Sequence, residues 1–217
     1  MELDKLYRHR FDAKELSKKL AIWRVLCEDF FSRYVEPGDV VVDVGAGYCE
    51  FINNIKCGRK IAVDLNPDVR KFAAADVEVR NDNCAELSSF TRDFADIVFM
   101  SNFLEHLPSK EVVFDTLAQA KRILRPGGRL LLLQPNVRLL PGEYWDFFDH
   151  RTPLTEKSLA EALGNLDMEL IEVVARFLPY TTKSRLPHSA GLVRLYLKVP
   201  IMWKVLGKQS FLVARKR

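Results

Sequence analysis

The chain holds 217 residues, 48% hydrophobic and 29% charged, with a net charge of +4. That length suits one domain, 1–217, with room for a substantial core, and the composition excludes a disordered or fibrous chain. No run approaches the roughly eighteen apolar residues of a membrane span, and MELDKLYRHRFDAKE is not a signal peptide. Cysteines 27, 49, 57 and 84 show no C-x-x-C spacing, so reduced thiols and a cytoplasmic location are expected.

Residues 1–36 read as a leading helical segment. Within it, residues 14–34 set Leu16, Leu20, Trp23, Leu26, Phe30 and Phe31 at helical spacing, and Glu36-Pro37-Gly38-Asp39 ends the helix. Upstream, Tyr7-Arg8-His9-Arg10-Phe11 has no core role; it is either solvated or supplies Tyr7 or Arg10 to a ligand carboxylate. Val40–Val44 is a buried strand that runs through Asp43 into Gly45-Ala46-Gly47 and then into a helical pattern over Tyr48–Ile55. A parallel strand that delivers a glycine turn to a helix is a cradle for an adenosine-bearing cofactor. Gly45 and Gly47 permit the turn and let a ligand approach without a Cβ in its way. A dinucleotide fingerprint would have a third glycine where Glu50 stands. That carboxylate would repel a pyrophosphate but not S-adenosylmethionine, which has no phosphate. The second strand, Lys60–Asp64, ends in a carboxylate placed to accept both ribose hydroxyls.

The segments VVDVGAGYCEF, IAVDLNP, NDNCAEL, FADIVFMSNFLEHL and ILRPGGRLLLLQPN follow in order over residues 38–136. In that combination they resemble class I S-adenosylmethionine-dependent methyltransferases; a nicotinamide-binding domain is the competing reading of the glycine turn. The resemblance implies S-adenosylmethionine as cofactor, held by Asp43, Gly45, Ala46, Gly47, Tyr48, Cys49, Asp64, Leu65, Asn66, Asp82, Asn83, Cys84, Ser101, Asn102 and Phe103. Cys49 departs from the family, which more often has glycine there, but it is small. Asp82 is the residue matched to the adenine amino group, with Cys84 flanking the ring; otherwise Asp82 is a loop Asp that bonds its own backbone. The implied fold is α/β, a Rossmann-like doubly wound seven-stranded sheet of order 3-2-1-4-5-7-6, strand 7 antiparallel, with helices on both faces.

The remaining elements alternate as such a sheet requires. Asn66-Pro67 opens a short helix, and Val77–Arg80 is the third strand. Phe94–Met100 is the fourth, with Ser101–His106 at the carboxyl edge where open α/β sheets bind ligands. Val112–Leu124 is an amphipathic helix stopped by Arg125-Pro126-Gly127-Gly128, and Arg129–Gln134 is the fifth strand. Leu140–Leu154 is a loop dense in aromatics and carboxylates, suited to substrate capture. Thr155 starts a helix, Met168–Phe177 is the sixth strand and Ser210–Lys216 the seventh. Between them, residues 178–209 form a basic and apolar insertion longer than a hairpin needs.

Methyl transfer from a sulfonium is an in-line displacement that needs alignment and, for an oxygen nucleophile, a base. His150, His106, Asp149 and Glu105 are the bases near the cleft. His150 is taken as the general base, with His106 beside the cofactor loop; the structural alternatives are a helix-capping His106 and a backbone-bonded His150. No His/Cys/Asp set has metal-ligand spacing, so no metal is expected. The segments WDFFDHRTPLT and FLPYTTKSRLP resemble methyltransferases found with bacterial polysaccharide genes, which implies a small-molecule acceptor, the hydroxyl of a sugar or lipid-linked glycan precursor. Quinones or other aromatic metabolites are the alternative class. Nucleic acid is disfavoured because SNFLEH lacks an N-P-P-Y-like motif, and a non-catalytic cofactor-binding protein is the remaining reading.

Residues 173–217 hold ten Lys/Arg and no acid, an asymmetry that needs a cause. Either a helical insertion packs its apolar side on the sheet, or residues 176–208 lie on an anionic membrane with Trp203 and Tyr196 at the headgroups. The second reading makes the protein peripheral to the inner face of the membrane.

Overall fold

The computed structural model describes residues 13–180 and 189–217, with side chains from Lys18 onward. The Tyr7–Phe11 cluster, Lys183 and Arg185 lie outside the described residues. The strands are β1 (Val40–Val44), β2 (Arg59–Val63), β3 (Val77–Arg80), β4 (Ala95–Ser101), β5 (Leu124–Pro135), β6 (Met168–Val174) and β7 (Gln209–Lys216). They form one seven-stranded sheet of order β3-β2-β1-β4-β5-β7-β6. The pairs β3–β2, β2–β1, β1–β4 and β4–β5 are parallel, and β7 runs antiparallel between β5 and β6. The helices are α1 (Ala13–Asp29), α2 (Glu50–Asn54), α3 (Lys110–Ile123), α4 (Glu156–Asn165), α5 (Ala190–Lys198) and α6 (Pro200–Leu206).

The apolar strands are continuous because both faces of the sheet are covered. Val41, Ile97, Phe99, Leu131, Leu133, Phe211 and Val213 pack in one core with α1, α2, α5 and α6. Their neighbours in sequence, Val42, Val98, Met100, Leu130, Leu132, Leu212 and Ala214, pack in the other with α3 and α4. The parallel pairing of β1 with β2 and β4 sets their carboxyl ends side by side along one edge, where the candidate site lies.

Several boundaries differ from the sequence expectation for identifiable reasons. The leading helix stops at Asp29, and Phe31–Tyr34 tightens into a 3₁₀ turn that buries Phe31 and Tyr34. The helix after the glycine turn begins only at Glu50, because Cys49 is left-handed at φ 58°. β5 starts at Leu124, and its register with β4 shifts before Arg129, so Arg125–Gly128 lies within the strand as an irregularity. β6 ends at Val174, and Phe177 turns into the core with its N–H on the Gln209 carbonyl at 2.7 Å.

Helices α5 and α6 dock on the α1 side of the sheet. Arg194 pairs with Glu28 at 2.7 Å and Asp29 at 3.1 Å. Tyr196 donates its hydroxyl to the Phe177 carbonyl, and Trp203 Nε1 donates to the Tyr196 carbonyl at 2.9 Å. These two rings therefore face the protein, which corrects the expectation that they sit at headgroup level; their polar tips find backbone acceptors inside the fold. Leu192, Leu195, Ile201, Met202 and Val205 are the large apolar side chains exposed on these helices. No described helix is long and apolar enough to cross a membrane.

Candidate active site

The glycine turn hooks over the end of β2, since the Gly45 and Ala46 N–H groups both donate to the Val63 carbonyl, at 2.9 and 3.2 Å. Its two glycines have different work. At Gly45 (φ 75°) an added Cβ would lie 2.3 Å from Phe103 Cδ2, so this glycine makes room for a side chain from beyond β4 rather than for the ligand. At Gly47 (φ 50°) nothing lies within 4 Å, and that is the side a ligand can approach. The Asp64 carboxylate accepts from the Gly47 N–H at 2.9 Å and the Asn66 N–H at 2.8 Å, so it is pinned beside the turn. Leu65 follows it, largely exposed.

Carboxylates dominate this edge. Burial, and then the negative charges of Glu50 and Asp64, push the Asp43 carboxyl well above its usual range. Burial also raises Asp64, against the hydrogen bonds from Asn66 and Gly47. Glu50 is ion-paired with Lys19 at 2.6 Å, and the Lys19 ammonium lies 5.5 Å from the Tyr48 ring centre, so α1 closes against the turn. An acidic wall with a glycine opening fits the sulfonium and ammonium of S-adenosylmethionine and repels phosphates.

Asp82 makes the loop bonds that were the alternative to an adenine contact. Asp82 accepts from the Ser88 hydroxyl at 3.2 Å and the Ser89 N–H at 2.7 Å, which closes its own loop. Cys84 is buried in the core, where the Thr116 hydroxyl lies 3.5 Å from its sulfur. Asn83 accepts from the Ala85 N–H at 3.1 Å and donates to Glu86 at 3.0 Å.

Beyond β4, Ser101, Asn102 and Phe103 lead into a 3₁₀ turn, Leu104–His106. Asn102 is left-handed at φ 46°, its N–H bonds the Leu133 carbonyl at 2.9 Å, and its amide donates to Ser101 Oγ at 3.1 Å. Its buried Oδ1 has no hydrogen-bond partner among the described residues. A strained backbone and an unsatisfied oxygen at a strand tip both cost stability, and such costs gather at ligand sites.

The loop after β5 is tied to that 3₁₀ turn. The Arg151 and Thr152 N–H groups donate to the Glu105 carbonyl at 2.8 and 3.1 Å, and the Thr152 hydroxyl donates to the Leu107 carbonyl at 2.7 Å. Tyr144, fully buried, donates its hydroxyl to the Thr152 carbonyl at 2.5 Å. These bonds bring Glu105, His106, Asp149 and His150 together. His106 Nδ1 lies 3.3 Å from both the backbone carbonyl and a carboxylate oxygen of Asp149. Both partners are acceptors, so Nδ1 carries the proton and Nε2 the lone pair. Nε2 is 3.9 Å from Glu105 Oε1. Glu105 is 1% exposed, accepts from the Gln134 amide, and has its carboxyl raised by burial. The His106 side chain keeps 27% of its surface exposed. His150 is buried, with its ring centre 5.1 Å from that of His106 and its Nε2 3.4 Å from the Tyr180 hydroxyl.

The expectation of no metal rested on spacing along the chain, and the fold removes that ground. Glu105, His106 and His150 each offer a donor atom, all within 4.8 Å of one another. The sequence reading missed Gln134, Tyr180 and Lys19. Gln134 carried a signal, a lone amide ending the apolar run LLLLQ; the other two carried none.

Residues 42–132 match the family described as the methyltransferase domain Methyltransf_11. A probable methyltransferase, ltbC, of Aspergillus luteorubrus is 28% identical over 118 residues, 46% of this chain and 41% of that protein, so the match spans well under half of that relative. The fold is similar to a SAM-dependent methyltransferase from Archaeoglobus fulgidus at TM-score 0.67 and 20% identity, over 94% of this chain and 100% of that one. It is also similar to a possible histamine N-methyltransferase from Thermotoga maritima at TM-score 0.67 and 17% identity, over 94% of each chain. The sheet order, the glycine turn and this match over residues 42–132 make the chain similar to the class I S-adenosylmethionine-dependent methyltransferases.

Proposed function

We propose that the protein transfers a methyl group from S-adenosylmethionine to a hydroxyl of a small-molecule acceptor, a sugar or a lipid-linked glycan precursor. The cofactor lies along the Gly47 side of the turn, its ribose on Asp64 and its adenine toward Leu65 and Asn83. The acceptor sits between the Leu104–His106 turn and the loop 140–154. The observation that carries this reading is His106, part-exposed beyond β4 and oriented through Nδ1 by Asp149. An oxygen acceptor must lose its proton, whereas an amine can shed one after transfer, and an oriented histidine is the group that serves the first case. His106 is favoured over His150 because His150 is buried among Tyr144, Phe147 and Tyr180. Incubating the protein with S-adenosylmethionine and a panel of hydroxylated and amine acceptors, read by product mass, tests this. Methylated hydroxyls are expected, with turnover cut roughly 10²–10⁴-fold in His106→Ala. Products on amines alone would overturn the oxygen reading.

A contact with an anionic membrane fits the lipid-linked acceptor. Leu192, Leu195, Ile201, Met202 and Val205 are exposed alongside Lys198 and Lys204, with no acid from Ser189 to Gln209. Each Lys or Arg near such a surface contributes about 1 kcal/mol. Arg194 is held by Glu28 and Asp29, and Lys208 by Glu143 at 2.5 Å, so fewer charges contribute than the sequence tally implies. Sedimentation with phosphatidylglycerol vesicles at low salt is expected, and its loss in Leu195→Glu/Ile201→Glu. A wild-type protein that stays in the supernatant ends the membrane reading.

A further inference from the structure

Glu105 and His106 turn their Lewis-basic atoms toward one another. His106 Nε2 bears a lone pair, because both Asp149 acceptors occupy the Nδ1 side, and it stands 3.9 Å from the Glu105 carboxylate oxygen. No hydrogen bond spans that gap, and two lone pairs facing each other repel, a repulsion that a cation between them removes. A zinc-type cation holds nitrogen and oxygen ligands at about 2.1 Å, which in a tetrahedral site sets two ligand atoms about 3.4 Å apart. The observed gap therefore needs to close by only about half an ångström. His150 brings a third donor within the same 4.8 Å.

The surroundings are those of a ligand set. A metal-bound histidine ordinarily gives its other N–H to a carboxylate or carbonyl, and bound carboxylates are themselves hydrogen-bonded. Here Asp149 holds His106, the Gln134 amide holds the second oxygen of Glu105, and the Tyr180 hydroxyl lies 3.4 Å from His150 Nε2. The backbone bonds from Arg151 and Thr152 to Glu105 fix the two segments relative to each other before any ion arrives. The exposed side of His106 leaves room for an incoming ligand from the cleft.

We infer that Glu105, His106 and His150 form a binding site for a divalent transition-metal cation that takes the acceptor oxygen as a further ligand. Two imidazoles and one carboxylate with an open position suit Zn²⁺, Co²⁺ or Fe²⁺ better than Mg²⁺, which prefers oxygen ligands. The inference rests on the acceptor lying at this cluster, and it gives His106 Nε2 to the cation, so that with the cation bound the acceptor's proton leaves to solvent rather than to His106. A hydroxyl coordinated to the cation loses its proton to solvent near neutral pH. The oxygen lone pair then forms the bond to the methyl carbon as the carbon–sulfur bond breaks, and that electron pair stays on sulfur, leaving the neutral thioether.

The test uses tag-free, chelator-treated full-length protein titrated with Zn²⁺ by calorimetry and with Co²⁺ by visible absorption. One equivalent is expected, with Co²⁺ bands of low coordination number and an affinity reduced at least 100-fold in Glu105→Gln and in His150→Ala. Asp149→Asn, which keeps the side-chain shape, is expected to weaken binding by about 10–100-fold. Calorimetric binding of S-adenosylmethionine reports whether each variant remains folded. Absence of stoichiometric binding in the wild type, or equal affinity in the folded variants, overturns the metal site. If chelated protein still methylates hydroxyls at full rate, the metal role falls and the proposed reaction stands. If the cation binds as described but hydroxyls are never methylated, the metal site stands and the proposed reaction falls.

Discussion

Asp64 and Asp43 stand at neighbouring strand tips but carry different energetic roles. Asp64 is held by two backbone N–H groups and keeps partial exposure, so its carboxylate is oriented and still has lone pairs for a ribose. A hydrogen bond to a charged group contributes roughly 1.5–3 kcal/mol. Asp64→Ala is expected to weaken S-adenosylmethionine at least tenfold in calorimetry while the protein remains folded; equal affinities would remove the ribose assignment. Asp43 is buried beside two other acids, and its carboxyl is raised well above 3.8. Between the unfolded and the raised folded value the native state binds more protons than the unfolded chain, so this group's contribution to stability falls as pH rises. Ligand-free Asp43→Asn should match wild type in acid and exceed it increasingly toward alkaline pH, while binding the cationic cofactor less well. Parallel melting temperatures across the pH range would contradict this.

At the scale of elements, the β1–α2 turn is built by two glycines whose substitutions separate sterics from backbone strain. The left-handed conformation costs a side chain about 1–2 kcal/mol at either position. At Gly45 an added methyl also collides with Phe103, whereas at Gly47 it meets nothing within 4 Å. Gly45→Ala should therefore lower stability in urea unfolding clearly more than Gly47→Ala, while both impair cofactor binding. Equal losses would mean that Phe103 moves aside without cost. The turn was readable because its chemistry is local: β-branched run, acid, glycines, helix. Loop 140–154 was readable only as aromatic and acidic. Its attachment to Leu104–Leu107 depends on backbone bonds between residues some forty positions apart, such as Arg151 to Glu105.

Across the whole molecule, an aromatic cluster joins the helical layer to the sheet. Phe30 stacks on Phe177 at 4.1 Å and meets Phe211 at 5.1 Å and Trp203 at 5.9 Å, which links α1, the β6–α5 connection, β7 and α6. Phe30→Ala is expected to cost about 3–5 kcal/mol in urea unfolding, because a buried ring leaves a cavity that these neighbours cannot fill. A loss below about 1 kcal/mol would mean that α5 and α6 collapse into the gap.

The amino-acid order alone determined β1 and β3 to the residue, the sheet order through the family resemblance, and the acids that flank the glycine turn. The strands and the turn are written in contiguous residues whose period or turn chemistry is set by backbone sterics and by burial of both sheet faces, whereas the sheet order came only with the resemblance. The tertiary structure alone decided that Trp203 and Tyr196 face inward, that Asp82 closes its own loop, and that Glu105, His106, Asp149 and His150 meet. Those outcomes depend on which donors and acceptors the chain brings within about 3 Å after it reverses direction. Separation along the sequence carries no record of that distance.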